Sequence, residues 1–329
     1  MPSKSEIVLK SGAAIALTFA GRPFPALISD AGPSATRRFV EYFTANIRNP
    51  NTRAAYAQAV GQFCAWAETR GLTLLRLNPI IIASYIEELG SRLAAPSVKQ
   101  HLAAIRMLCD WLVLGQVIPM NPAASVRGPK YVVKKGKTPV LPAADARLLL
   151  DCIDVTEIIG LRDRALIGVM LYSFSRVSAA VGMKLGDYYQ IGKRSWLRLH
   201  DKGGKLHEVP AHHNAVLYLD EYLAAADVGD DKKGPLFRSV LGRTGRLSPK
   251  AMSRVDALRM IKRRAAAAKV SASICCHTFR GTGITTYLEN GGTIEKAQAI
   301  ANHESPRTTK LYDRTKDELT LDEIERIIV

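Results

Sequence analysis

His277-Thr-Phe-Arg280-Gly-Thr-Gly-Ile284 and Asn302-His303-Glu-Ser-Pro-Arg-Thr-Thr-Lys-Leu-Tyr312 are the two stretches around which the rest of the chain can be organised. On a helix, residues 277 and 280 stand three apart and face the same way, so an imidazole and a guanidinium can reach one ligand. Tyr312 follows His303 by nine residues. Working outward, Arg176 comes just after an apolar helical run. Lys202 and Lys205 lie at the tip of a hairpin, Asp201-Lys202-Gly203-Gly204-Lys205. Taken singly these residues are commonplace. A lone tyrosine is usually core or surface, a His-x-x-Arg pair arises by chance, and a hairpin lysine is normally solvated.

Taken together they fit what phosphodiester cleavage by a side-chain hydroxyl requires. The pentavalent transition state spreads negative charge over its equatorial oxygens, and two arginine forks, Arg176 and Arg280, are a natural clamp. His277 can bond the phosphate or tyrosine oxygen beside Arg280, and His303 offers a second donor. A mobile lysine, Lys202 or its neighbour Lys205, can protonate the 5′-oxygen leaving group. Tyr312 is the candidate nucleophile, its phenol activated by nearby positive charge. Exchanging a phosphodiester for a phosphotyrosine ester conserves bond energy, so no cofactor is expected. The sequence contains no Gly-x-x-x-x-Gly-Lys-Ser/Thr loop for ATP and no paired acids at the spacing a two-metal nuclease wants.

These residues resemble the tyrosine recombinase (phage integrase) family. The nine-residue spacing from His303 to Tyr312 is the family's usual one. Lys202-Gly-Gly-Lys205 with Val209-Pro210 is similar to its hairpin, Arg176-Val-Ser178 to its first-arginine motif, and Asp187 stands at its downstream Asp. Ser97-Val-Lys-Gln-His-Leu-Ala-Ala-Ile-Arg106, Trp111-Leu112 and Asn121-Pro122-Ala123 resemble the end of its core-binding domain. The resemblance implies a two-domain, C-shaped clamp on duplex DNA. Arg176 and Arg280 would hold the scissile phosphate, and Lys202 would be the general acid. His277 and His303 would support proton transfer and phosphate binding, and Tyr312 would form a 3′-phosphotyrosine. It also implies a prokaryotic, cytoplasmic, nucleoid-associated recombinase or integrase, of a mobile element or for chromosome dimer resolution, working as a homo- or hetero-tetramer on specific sites. A type IB topoisomerase shares the chemistry, and a catalytically impaired DNA-binding regulator is a third reading. Three departures stand out: Phe174-Ser175 replaces Gly-Leu or Gly-Met before the first Arg, Ala179 replaces an acid, and Asn302 replaces a Gly.

Periodicity gives a mainly α fold with a small β-hairpin. Residues 1–33 read as an arm and 34–118 as a helical domain, which the resemblance implies is a SAM-like core-binding domain. Residues 119–138 read as a basic linker, 139–315 as the catalytic domain, and 316–329 as a tail helix that either folds onto its own domain or docks on a protomer, the resemblance favouring docking. Tyr56, Val60, Phe63 and Ala67 make one helical stripe, and Leu102, Ile105, Cys109 and Leu112 another, whose helix starts at Pro96-Ser97. Trp196, Arg198 and His200 alternate with Leu197 and Leu199 as a strand does. Helical pattern resumes at Asn214, a plausible N-cap, and is expected through most of the remainder. The tail holds six acids and three bases from Asp313 onward, with an apolar stripe of Leu321, Ile324 and Ile328.

The charge balance points the same way. With 46 Lys and Arg against 30 Asp and Glu, the chain carries +16 and suits a polyanion such as double-stranded DNA. Lys130, Lys134, Lys135 and Lys137 in the linker, Lys205 on the hairpin, and Arg254 and Arg263 within a run that also holds Arg259, Lys262 and Arg264 are candidate DNA contacts. Five cysteines without Cys-x-x-Cys spacing suggest buried, reduced thiols, and Cys275-Cys276-His277 makes a poor metal site because adjacent residues cannot all face one ion. No run of about 18 apolar residues exists, so no membrane span is expected.

Overall fold

A computed structural model describes residues 18–19, 22–132, 136, 138–201, 204–228, 231–242, 244–271 and 273–313. The chain divides into two compact units, 1–132 and 133–329.

In the first unit a short ribbon, β1 (Thr18–Phe19) with β2 (Arg22–Pro23), precedes α1 (Ala26–Ser29) and α2 (Pro33–Glu41). α3 (Pro50–Glu68), α4 (Pro79–Gly90) and α5 (Ala95–Leu114) complete the bundle. Proline at the first turn fits here because that turn's N–H groups lack intrahelical partners anyway. Asn49 and Asn78 cap α3 and α4 through their side-chain oxygens. Val60, Phe63 and Ala67 on α3 and Leu102, Ile105, Cys109 and Leu112 on α5 are buried in one core, with Tyr56 packed at its edge. The segment read as an arm contributes Phe19, Leu27 and Ile28 to that same core. Gly21, Pro23 and Pro25 interrupt its apolar residues, so no periodic stripe reveals them.

The second unit is helical around a three-stranded sheet. α6 (Ala143–Asp151), α7 (Ile158–Tyr172) and the short α8 (Val177–Val181) lead into β3 (Tyr188–Ile191), β4 (Arg194–His200) and β5 (Leu206–Pro210). The antiparallel order is β3-β4-β5, with Leu197 opposite Val209 and Leu199 opposite His207. Leu197, Leu199 and Val209 face the core, and Trp196 and Arg198 lie on the other side. α9 (His213–Ala226) is capped two residues earlier than the Asn214 expected from sequence. Its cap is His212, whose Nδ1 accepts the Asn214 N–H.

Helix occupies most of the described remainder, as expected, with one interruption. A second hairpin, β6 (Arg238–Val240) with β7 (Leu247–Ala251), intervenes before α10 (Arg254–Ala267). Its strands are short and half exposed, so they leave little alternation to read. α11 (Cys276–Glu289), α12 (Ile294–Ala301) and α13 (Pro306–Lys310) follow. Asp163, fully buried on α7, is bonded by Arg162 at 2.6 Å and by Arg264 of α10 at 2.8 Å. Arg264 therefore ties α10 to α7 through a buried carboxylate. Cys64 and Cys109 are buried as expected, but Cys152 is exposed and Cys275 and Cys276 are half-buried.

Candidate active site

A satellite apolar cluster of Phe174, Ile284, Leu288, Ala297 and Ala301, with Tyr287 and Tyr312 against it, forms the platform of the site. Glycines let its parts approach. A Cβ on Gly283 would lie 2.2 Å from the Leu171 carbonyl oxygen and 2.7 Å from the Phe174 ring. One on Gly281 would meet the Tyr312 ring at 3.4 Å, so that ring packs closely on α11. Tyr312 is held through its backbone: its N–H donates to Thr309 O, and its carbonyl accepts from Thr285 Oγ1 at 2.8 Å. The neighbouring Leu311 carbonyl accepts from the Gly136 N–H of the linker segment.

Phe174 and Asn302, two of the departures noted in the sequence, both adopt left-handed backbone, with φ of 52° and 49°. Glycine takes that conformation freely, whereas a side chain costs about 1 kcal/mol or more there. Both residues border Arg280, which is itself buried. Its guanidinium donates to Phe174 O and, at 2.6 Å, to Ala301 O. The two unusual turns thus aim two carbonyls at one guanidinium.

Arg176 sits in extended backbone at the start of α8 and donates from Nη1 to Asp201 Oδ1 at 2.9 Å. Asp201 Oδ2 accepts from Asn302 Nδ2 at 2.8 Å. His303 is buried, with Nδ1 3.0 Å from Thr309 Oγ1, and its ring lies parallel to that of Tyr312, centroids 6.1 Å apart.

The charges report how close the groups are. Burial first, and then Arg176, pushes Arg280 down to about 10, while Tyr312 and Asp201 act the other way. It remains a cation at neutral pH. Burial, then Arg280 and Arg176, pushes His303 down to about 4, and His277 is lowered by the same three causes. Both imidazoles are therefore neutral in the free protein. An anion bound between the arginines would reverse that pressure and favour the protonated forms. Arg176, His277, Arg280, His303 and Tyr312 are thus brought together, with Asp201 among them.

Those lowered values carry a pH dependence. Folding favours neutral His303, whereas an unfolded chain takes up the proton near the ordinary 6.5. The share of stability that His303 contributes to the DNA-free protein should therefore be lost as pH falls from about 6.5 to about 4. Thermal melts across this window should show the slope, and His303→Asn should flatten it. An unchanged slope in that variant would assign the effect elsewhere.

Of the remaining predicted residues, Lys202 lies outside the described residues, as do Lys134, Lys135, Lys137 and the tail 316–329. Lys205 pairs with Glu304 at 2.7 Å, which raises its pKa and anchors it beside His303. Lys130, Arg254 and Arg263 are exposed. Asp187 accepts from the Lys184 N–H and lies 3.0 Å from His200 Nε2, so it braces the loop before the sheet. Sequence reasoning missed Asp201; its place one residue before Lys202 was the available signal. Among the described residues, no three His, Cys, Asp or Glu side chains cluster as metal ligands, and no helix is long and apolar enough to cross a membrane.

Comparison with known proteins identifies the family. The family model for the phage integrase family matches residues 139–318, and that for the phage integrase N-terminal SAM-like domain matches residues 37–116. The chain is 30% identical to tyrosine recombinase XerC of Pelobacter propionicus over 269 residues, 80% of this chain and 84% of the relative. It is equally identical to tyrosine recombinase XerD of Pseudomonas aeruginosa, over 80% of this chain and 86% of that one. In fold it is similar to lambda integrase bound to DNA, with a TM-score of 0.64 and 16% identity over 89% of this chain and 99% of that one. With a family model covering more than half of its length, the chain belongs to the phage integrase family of tyrosine-type site-specific recombinases.

Proposed function

We propose that this protein recombines DNA at specific sites by cutting and rejoining duplex strands through a 3′-phosphotyrosine at Tyr312, with no metal ion or nucleotide taking part. The observation that carries the proposal is the convergence of two arginines, two neutral imidazoles and one tyrosine on a single apolar platform. Arg176 and Arg280 hold the phosphate and offset its developing charge. Tyr312 Oη attacks phosphorus as the bond to the 5′-oxygen breaks. One imidazole takes the phenol proton, and the 5′-oxygen leaves with a proton from Lys202, or from Lys205 once Glu304 releases it. Religation runs the same steps backwards.

Lys130, Lys134, Lys135, Lys137, Arg254 and Arg263 contact the DNA backbone in this reading, and both units bind the duplex. The working assembly is a tetramer, joined by the tail from 316 onward. Support for the tetramer comes from a solved lambda integrase tetramer bound to a Holliday junction, to which the chain is 17% identical with a TM-score of 0.64. Such an enzyme would act in the cytoplasm of a prokaryote, on its nucleoid.

The test is to incubate the protein with nicked suicide duplexes tiled across the DNA of its source element. A covalent protein–DNA adduct resistant to detergent should form, at the same rate with or without EDTA. If no adduct forms where binding is measurable, or if EDTA abolishes it, the mechanism is wrong.

A further inference from the structure

Ala179, almost fully buried on α8, leaves Arg176 without an acid one turn along its own helix. A carboxylate nevertheless reaches Arg176 from another element. Asp201 follows directly after β4, and its side chain is 8% exposed, so solvent does little to screen it. Its two oxygens are divided: Oδ1 takes Arg176 Nη1 at 2.9 Å, and Oδ2 takes Asn302 Nδ2 at 2.8 Å. Its own N–H donates to Lys205 O at 2.8 Å, closing the base of the hairpin.

Asn302 is the residue of interest at the far end. It occupies a left-handed position at the C-terminal cap of α12, φ 49°, immediately before His303. Glycine would sit there without strain, so the amide is retained against a conformational cost. What it gains is the bond to Asp201.

The geometry points to Asp201 and Asn302 as a positioning pair: Asp201 orients Arg176 in place of an acid at residue 179, and Asn302 ties that carboxylate to the turn carrying His303. The pair joins three places in the fold: the start of α8, the base of the β4–β5 hairpin and the end of α12. Neither residue touches the reacting atoms; both act through Arg176 and His303. This inference rests on the proposed strand-transfer function of the site.

Its test separates cleavage from binding and stability. Single-turnover adduct formation on suicide DNA, DNA affinity and Tm are measured for the wild type, Asp201→Asn, Asp201→Ala, Asn302→Gly and the Asp201→Ala/Asn302→Gly double variant. Asp201→Asn and Asp201→Ala should slow cleavage about 10- to 100-fold, the size of one lost charge-assisted hydrogen bond, with DNA affinity nearly unchanged. Asp201→Glu should recover part of the loss. Asn302→Gly should slow cleavage while Tm changes little, because relief of the left-handed strain offsets part of the lost hydrogen bond; a purely structural role predicts slowing only in step with lost stability. The double variant should be no slower than Asp201→Ala alone, because the two residues act as one unit.

Wild-type cleavage rates in Asp201→Ala, or fully additive losses in the double variant, would overturn the pairing while leaving the strand-transfer function standing. A wild-type protein that forms no adduct would overturn both.

Discussion

Tyr312→Phe is expected to bind DNA within about twofold of the wild type and to form no covalent adduct, since removing an enzyme's sole nucleophile costs on the order of 10⁶ in rate. The structure makes this substitution unusually clean. The Tyr312 ring packs against α11 at Gly281 and lies parallel to His303. Its backbone is held by Thr309 and Thr285. Phenylalanine keeps every one of these contacts and lacks only Oη. A lost adduct therefore cannot be blamed on a displaced segment, provided that Tm and affinity are measured alongside. The chain has eleven tyrosines. An adduct that persists in Tyr312→Phe and maps by mass spectrometry to another residue would remove Tyr312 from the mechanism.

What was legible in the sequence follows from how local each feature is. His277 and Arg280 share one helix, and His303 and Tyr312 are separated only by a short helix and two turns, so spacing alone carries their geometry. The two long stripes, on α3 and α5, could be read because each repeats over several turns against one core. Features that depend on contacts between distant segments could not be read. Arg176 and Asp201 are 25 residues apart, and Asp201 and Asn302 are 101 apart. Arg264 reads as one more surface cation until Asp163 is found beside it, again 101 residues away. The strands β3, β6 and β7 are short and mostly half exposed, so alternation never builds up. Yet the missing acid at 179 and the missing glycines at 174 and 302 did mark the right places. Residues 174 and 302 are left-handed, and the partner for Arg176 arrives from elsewhere. Departures from a pattern were as informative as matches, although only the coordinates show what compensates for them.

Arg280→Lys should separate the charge of this residue from its shape. Lysine keeps the cation, and a substitution that mattered only through charge would leave cleavage nearly intact. Arg280 does more than carry charge. It is buried, and two of its nitrogens are already committed to the carbonyls of Phe174 and Ala301. A planar fork holds the two carbonyls with two separate nitrogens and still presents donors to a phosphate; an ammonium has three donors but only one nitrogen, which cannot stand at both carbonyls and at the phosphate together. One buried carbonyl would be left unpaired, at about 1–3 kcal/mol in stability. The lysine would also be drawn toward the remaining carbonyl and away from the scissile phosphate. Cleavage should fall roughly 10²- to 10³-fold, the loss typical when one donor to a developing oxyanion is removed. Affinity for DNA should change little, because one phosphate contact among many sets the slope of binding against salt by about one unit at most. Burial and Arg176 already push Arg280 downward, and lysine starts from a lower intrinsic value, so the variant should also lose activity at lower pH than its ordinary titration would suggest. A rate within threefold of the wild type, or a loss explained wholly by weaker DNA binding, would mean that the two carbonyl contacts serve folding alone.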